Sequence, residues 1–400
     1  MLFRKFWTRM SRRGISAAAM IAAGIGVLPG SAAFAQPRFG DPLPGLNAAQ
    51  ISAFNAGKME FEAKEKPQDG LGPIFNRDSC VACHSTGATG GASPILVTRF
   101  GRAGKQTFDE LKSLGGGLLQ EKAIDPSGLE RVPREANLVA QRQSTPLFGL
   151  GLIEAIPDAT ILQGVRATPV DGVKGRASMV ADIATGQSLV GRFGWKAQQA
   201  TLLSFAGDAY LNEMGITSRL FPIENAPNGN LELLKKLDRV ADPEDQFDPA
   251  AGKYGIDKLA DFMRLLSPPP PLPITASTGF GGKIFVDIGC AQCHTPMLTT
   301  GPSSIPALNG QRVMLFSDLL LHDMGSLGDG IGQGTATGQD MKTAPLWGLR
   351  NSGPYLHDGR AATVEDAIRA HDGEATNSRD RYRRLSPDQK SLLAQFLMSI

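Results

Sequence analysis

The sequence predicts a mainly α-helical protein of two similar domains, with a small β-hairpin insertion and long loops. Three observations predict it. The motif C-x-x-C-H occurs twice, as Cys80-Val81-Ala82-Cys83-His84 and as Cys290-Ala291-Gln292-Cys293-His294. Between the copies runs Ser267-Pro268-Pro269-Pro270-Pro271-Leu272-Pro273, an extended segment that no helix can cross. Each copy is followed by a related block, Ser144-Thr145-Pro146-Leu147-Phe148-Gly149-Leu150 in one half and Thr343-Ala344-Pro345-Leu346-Trp347-Gly348-Leu349 in the other. A shared order of features in two halves is the mark of an internal repeat.

In chain order, residues 1–35 read as an export signal. Arg4, Lys5, Arg9, Arg12 and Arg13 precede an apolar stretch at 15–28, and Ala33-Phe34-Ala35 makes a small-residue cleavage site. The stretch is too short and too rich in Ala and Gly for a good permanent anchor. Without this segment, 36 of the 41 basic residues remain against 39 acidic ones, a net charge near −3. No basic patch remains that would argue for nucleic acid. No later run reaches membrane-spanning length, so a periplasmic protein with no stable membrane insertion after signal removal is expected. The first domain is expected over 36–266, the proline linker over 267–273 and the second domain over 274–400.

Helical patterns cover 48–65 and 277–286, each leading to one C-x-x-C-H motif. Further helical stretches cover 200–211, 363–370 and 386–400, the last with Ser386 as N-cap. Alternating stretches around Ala184-Thr185-Gly186-Gln187 predict a β-hairpin within 173–195. Residues 228–255 are polar and turn-rich, the composition of a surface excursion.

The four cysteines decide the chemistry, because all of them sit in the two motifs. C-x-x-C-H is the attachment signature of c-type haem. Two thiols one helical turn apart add to the haem vinyl groups, and the adjacent histidine is then held under the iron. Zinc half-sites and redox dithiols also use C-x-x-C, but they do not require a histidine directly after each copy. Two covalently attached haems c are therefore expected, bound by Cys80, Cys83 and His84 and by Cys290, Cys293 and His294. No thiol is left for a structural disulfide.

Counting histidines makes the two sites unequal. Of five, only His84 precedes the linker, whereas His294, His322, His357 and His371 follow it. The far side of the N-terminal haem is then open, or is filled by Met, Lys, Tyr, a carboxylate or water, unless a histidine reaches across from the other half. Met214, after the helical stretch at 200–211, is one such candidate.

The blocks around these motifs resemble the bacterial di-haem oxidoreductases, relatives of the di-haem cytochrome c peroxidases and of MauG. The resemblance runs through Arg142-Gln143 and the block after them, Ile153-Glu154-Ala155-Ile156-Pro157-Asp158, the segments 191–197 and 214–218, and Asp318 to Gly325. It is most specific at Pro354-Tyr355-Leu356-His357-Asp358-Gly359-Arg360, similar to the P-Y-x-H-D-G element of the peroxidases. It implies two cytochrome-c-like domains, one haem conducting electrons and the other meeting peroxide. It also implies His371 as second ligand of the C-terminal iron, fourteen residues after His357 where the peroxidases carry a methionine. His357 and His322 compete for that place. By the same resemblance Glu154 is the distal base and Trp195 the tryptophan between the haems. The peroxidases also hold an interdomain calcium, for which this sequence shows no ligand run. Pro157-Asp158-Ala159-Thr160 departs from the family pattern, and the 173–195 hairpin is additional, so substrate choice does not carry over.

The function expected is a periplasmic di-haem oxidoreductase, peroxidase-like, with peroxide or O2 reacting at the N-terminal haem. Electrons would pass through the C-terminal bis-histidine haem to or from a small redox protein, a cytochrome c or cupredoxin. A non-catalytic di-haem electron carrier is the alternative, and oxygenase activity on an organic substrate is a third.

Overall fold

The structure is a computed structural model that describes residues 36–105 and 107–400; the expected signal at 1–35 lies outside the described residues. The described residues include the helices α1 (Ala48–Glu62), α2 (Leu150–Glu154), α3 (Asp158–Leu162), α4 (Leu202–Ala209) and α5 (Leu231–Leu237). They continue with α6 (Gly255–Leu265), α7 (Ala276–Asp287), α8 (Val364–Ala370), α9 (Thr376–Arg383) and α10 (Pro387–Leu397). Short-range chemistry starts most of the long ones. Asn47, Thr275, Thr363 and Ser386 each accept a hydrogen bond from the backbone three residues on, and the residue there bonds back. Such reciprocal caps satisfy donors that a helix start otherwise leaves open.

Two helix pairs organise the halves in the same way. α1, which leads to the first motif, packs on α6, and α7, which leads to the second, packs on α10. A glycine sits at each crossing. A Cβ at Gly57 would lie 2.1 Å from the Lys258 carbonyl oxygen, and one at Gly281 would lie 2.1 Å from that of Leu392. The two related blocks repeat the parallel. Gly149 and Gly348 both take a left-handed backbone (φ 73° and 72°). Gly149 N donates to Leu266 O just after α6, and Gly348 N to Ile400 O just after α10. Both glycines rest on the proline run, at Pro268 and Pro269.

The core does not divide at the linker. One apolar cluster holds Phe54, Phe61, Leu202, Phe262 and their neighbours, and it also takes Leu308, Val313, Leu315, Leu319 and Leu320 from beyond the prolines. A smaller cluster of Phe285, Phe316, Tyr382, Leu393 and Phe396 belongs to the α7/α10 pair. Burying each such side chain contributes roughly 1.5–3 kcal/mol, so the shared cluster ties the halves together.

Small antiparallel sheets complete a mainly α architecture. The expected hairpin forms from Met179–Ala181 and Ser188–Val190, with Asp182 accepting from Thr185 N at 2.9 Å in the turn. A longer sheet was not expected. Leu96–Ala103 pairs with Leu138–Gln143, from Leu96↔Gln143 to Gly101↔Leu138, and Phe108–Asp109 joins its other edge. The polar excursion contains α5, capped by Asn230. No helix among the described residues is long and apolar enough to cross a membrane.

Candidate haem sites

Each C-x-x-C-H motif forms a single tight turn, Cys80–Ala82 and Cys290–Gln292, closed by the histidine N–H on the first cysteine's carbonyl (3.1 and 2.9 Å). The turn gathers two sulfurs and an imidazole on one side of a cavity. His84 Nδ1 lies 3.1 Å from Gly91 O, and His294 Nδ1 lies 3.0 Å from Phe316 O. A carbonyl can only accept, so Nδ1 carries the proton and Nε2 keeps its lone pair. Burial lowers both histidines to about 4, which keeps them neutral.

His371 completes the second cavity. At the C-terminal cap of α8, its Nδ1 donates to Ala367 O at 2.7 Å, leaving Nε2 free in the same way. The rings of His294 and His371 stand with centroids 6.4 Å apart. With imidazole–metal bonds of about 2.0–2.1 Å, two rings on opposite sides of one iron stand roughly 6.3 Å apart. The pair therefore fits a bis-histidine haem.

The first cavity is lined by Cys80, Cys83 and His84, by Arg99, Arg142 and Gln198, and by Asp208, Tyr210, Glu213 and Met214. None of the other four histidines lines it. Two buried guanidinium nitrogens there, Arg99 Nε and Arg142 Nη2, have no hydrogen-bond partner. Arg142 Nε meets Asp329 at 2.7 Å, and Asp329 also meets fully buried Lys196 at 2.9 Å. The unpartnered guanidinium atoms suit the carboxylates of a haem. Burial raises both Asp208 and Glu213, so these carboxyls hold a proton more readily than usual. Met214 Sδ lies 3.9 Å from Cys80 Sγ.

Glu154, expected as the distal base, lines neither cavity. Its carboxylate takes Arg264 Nε at 2.6 Å and Leu202 N at 2.8 Å, joining α2 to α6 and capping α4. The geometry makes it an architectural carboxylate. Sequence spacing could not distinguish this, because Arg264 lies 110 positions away. Arg99 and Asp208, which do face the cavity, sit outside the motifs and were missed, and Arg142, inside one of the resembling blocks, was given no role there.

Trp195 lines both cavities, as do Gln143, Ser144, Thr145, Gly194 and Phe205. Its Nε1 donates to Gln143 O at 2.7 Å, and Gln143 N donates to His357 O at 2.6 Å. The Trp195 and His357 rings meet edge-on at 6.3 Å. His322 takes no ligand position. Its nitrogens meet Asp318 at 3.0 Å and Glu374 at 2.7 Å, and Nδ1 lies 3.6 Å from Cys293 Sγ.

Residues 128–400 match the model of the family described as "Di-haem oxidoreductase, putative peroxidase". The chain belongs to the di-haem oxidoreductase family. None of the curated proteins matches it by sequence. Among solved structures it is similar to hydrazine synthase of Kuenenia stuttgartiensis, at 14% identity, 100% of this chain, 98% of that one and TM-score 0.42. It is similar as well to a MauG-like protein associated with microbial copper homeostasis (15% identity, 92% and 95%, TM-score 0.41). A variant of the diheme peroxidase BthA of Burkholderia thailandensis also matches (12% identity, 87% and 85%, TM-score 0.38).

Proposed function

We propose that this di-haem oxidoreductase is an exported c-type enzyme with peroxidase-like activity. Peroxide or O2 reacts in the His84 cavity, and electrons enter or leave through the His294/His371 site. The unequal histidine count carries this reading: His84 faces a cavity without a second histidine, while His294 and His371 face each other at 6.4 Å. Bound haem, which Cys80, Cys83 and His84 would hold in one cavity and Cys290, Cys293, His294 and His371 in the other, would supply the redox iron.

The chain's own residues do the rest. Cys80 with Cys83, and Cys290 with Cys293, attach the groups by adding S–H across two vinyl double bonds each. Met214, with Sδ 3.9 Å from Cys80 Sγ, lies beside an attachment cysteine of the first site. Asp208 and Glu213, held towards their protonated forms by burial, supply and take back the proton that cleavage of an O–O bond needs. Arg99 and Arg142 hold anionic groups in the same cavity. Trp195 forms the wall that the two sites share. The signal at 1–35 and the haem attachment chemistry together support a periplasmic location. A small cytochrome c or cupredoxin is the redox partner.

Electron paramagnetic resonance of the oxidised holoprotein tests this. One high-spin and one low-spin centre are expected, together with peroxide-dependent oxidation of a reduced small cytochrome c. Two low-spin centres without turnover would make the protein an electron carrier. Asp208→Asn is expected to slow turnover by about 100-fold; an unchanged rate in that variant and in Glu213→Gln removes the acid–base assignment.

A further inference from the structure

Away from both cavities, the segment after the π-helical turn Tyr210–Met214 meets the loop that leads into α6. One oxygen each of Glu224, Asp242 and Glu244 lies here, all within 4.8 Å of one another. Three carboxylates that close repel strongly unless a cation or protons intervene. Few donors answer them. Glu224 Oε1 accepts from Asn225 N at 3.1 Å, and Glu244 accepts from Thr217 N at 2.8 Å. The single Thr217 hydroxyl is shared between Glu244 and Asp242. Glu224 is only 8% exposed, and its Oε2 is buried with no hydrogen-bond partner. A buried carboxylate oxygen without a partner is costly, and such an exception calls for an explanation such as a missing ion.

We propose that Glu224, Asp242 and Glu244 bind one Ca2+. All the donors are hard oxygens, and an upper spacing of 4.8 Å fits the Ca2+ sphere, whose bonds run about 2.3–2.6 Å. Mg2+ dehydrates reluctantly and keeps several of its waters, which suits a cluster containing the buried Glu224 less well. All three ligands belong to the N-terminal half, so the ion joins two stretches of that half and not the two halves. One stretch carries Glu224 and starts at Thr217, three residues after Met214 on the wall of the His84 cavity; the other carries Asp242 and Glu244 and holds Asp245 on the start of α6. Burial and then Glu244 push Glu224 up to about 9, the protonated state that Ca2+ would displace.

Equilibrium dialysis of radioactive Ca2+ against EGTA-stripped holoprotein tests the site, with haem content checked by absorbance. The expected result is one Ca2+ per chain at submillimolar to millimolar affinity, about 10⁻⁴–10⁻³ M, unaffected by equal Mg2+. Glu224→Gln copies the neutral side chain without changing its shape, and exposed Asp242→Asn leaves the fold undisturbed. Each is expected to weaken binding by about tenfold or more and to abolish the rise in Tm that Ca2+ gives the wild type. No binding at about 5 mM, equal binding by both variants, or equal competition by Mg2+ would overturn the proposal.

Discussion

At His322 each imidazole nitrogen meets a carboxylate, Asp318 on one side and Glu374 on the other, and the ring is only 2% exposed. Burial opposes its charge, but the hydrogen bonds to Asp318 and Glu374 outweigh burial and raise its pKa. A folded pKa above the unfolded value of 6.5 means stabilisation that is complete below about 6.5 and lost as pH rises through the folded pKa. Replacing His322 by Gln is therefore expected to cost the most, about 3–5 kcal/mol, near neutral or mildly acidic pH. The gap to wild type should narrow as pH is raised, which urea unfolding across pH would show. A gap independent of pH would mean that the ring is neutral. Glu154 gives the opposite lesson about roles. Its bonds to Arg264 and Leu202 N predict that Glu154→Gln loses about 1–3 kcal/mol of stability while turnover per folded molecule stays within about twofold. A collapse in turnover at unchanged stability would restore it as the base. The two C-x-x-C-H turns were legible because two thiols and an imidazole brought together in one turn need a fixed short spacing, whereas His371 was reached only through the family resemblance. Arg142 with Asp329, or Glu154 with Arg264, were not, since partners 187 and 110 positions apart leave no local pattern.

Among the elements, the helices with reciprocal caps were legible to within a few residues, because their start signals are local. The sheet of Leu96–Ala103 and Leu138–Gln143 was not. Val97, Arg99 and Arg142 share one face of the sheet and line the first cavity, so the inward face of this sheet carries charge where a packed core would show apolar alternation. The paired crossings give an element-scale test on one helix. Gly281 touches the α10 backbone, whereas nothing lies within 4 Å of a Cβ added at Gly279. Gly281→Ala must push α7 and α10 apart and is expected to cost about 1–3 kcal/mol or more. Gly279→Ala removes backbone entropy from the unfolded chain at no steric cost and should stabilise by roughly 0.5–1 kcal/mol. Thermal unfolding of the two holoproteins should move in opposite directions; equal losses would show that the crossing is not where the helices are held.

For the whole molecule, the duplicated crossings and glycine turns build two similar halves, while the histidine distribution makes their cavities different. The shared wall is where that difference becomes useful. Trp195 lines both sides, its indole N–H is fixed on Gln143 O, and its ring faces His357. Trp195→Phe keeps an aromatic wall but removes the N–H and leaves the Gln143 carbonyl without that donor, at an expected cost of about 1–3 kcal/mol in stability. Neither His84 nor the His294/His371 pair contacts the lost nitrogen, so the spin states of both centres should be unchanged. If electrons cross between the sites through this wall, peroxide should oxidise the low-spin centre about tenfold more slowly in the variant, equivalent to ~1.4 kcal/mol in barrier. Rapid mixing, followed at the low-spin absorption band, measures that rate directly. Normal spin states with a normal rate would show that the electrons bypass Trp195, leaving Ser144, Thr145 and the rest of the common wall as the route.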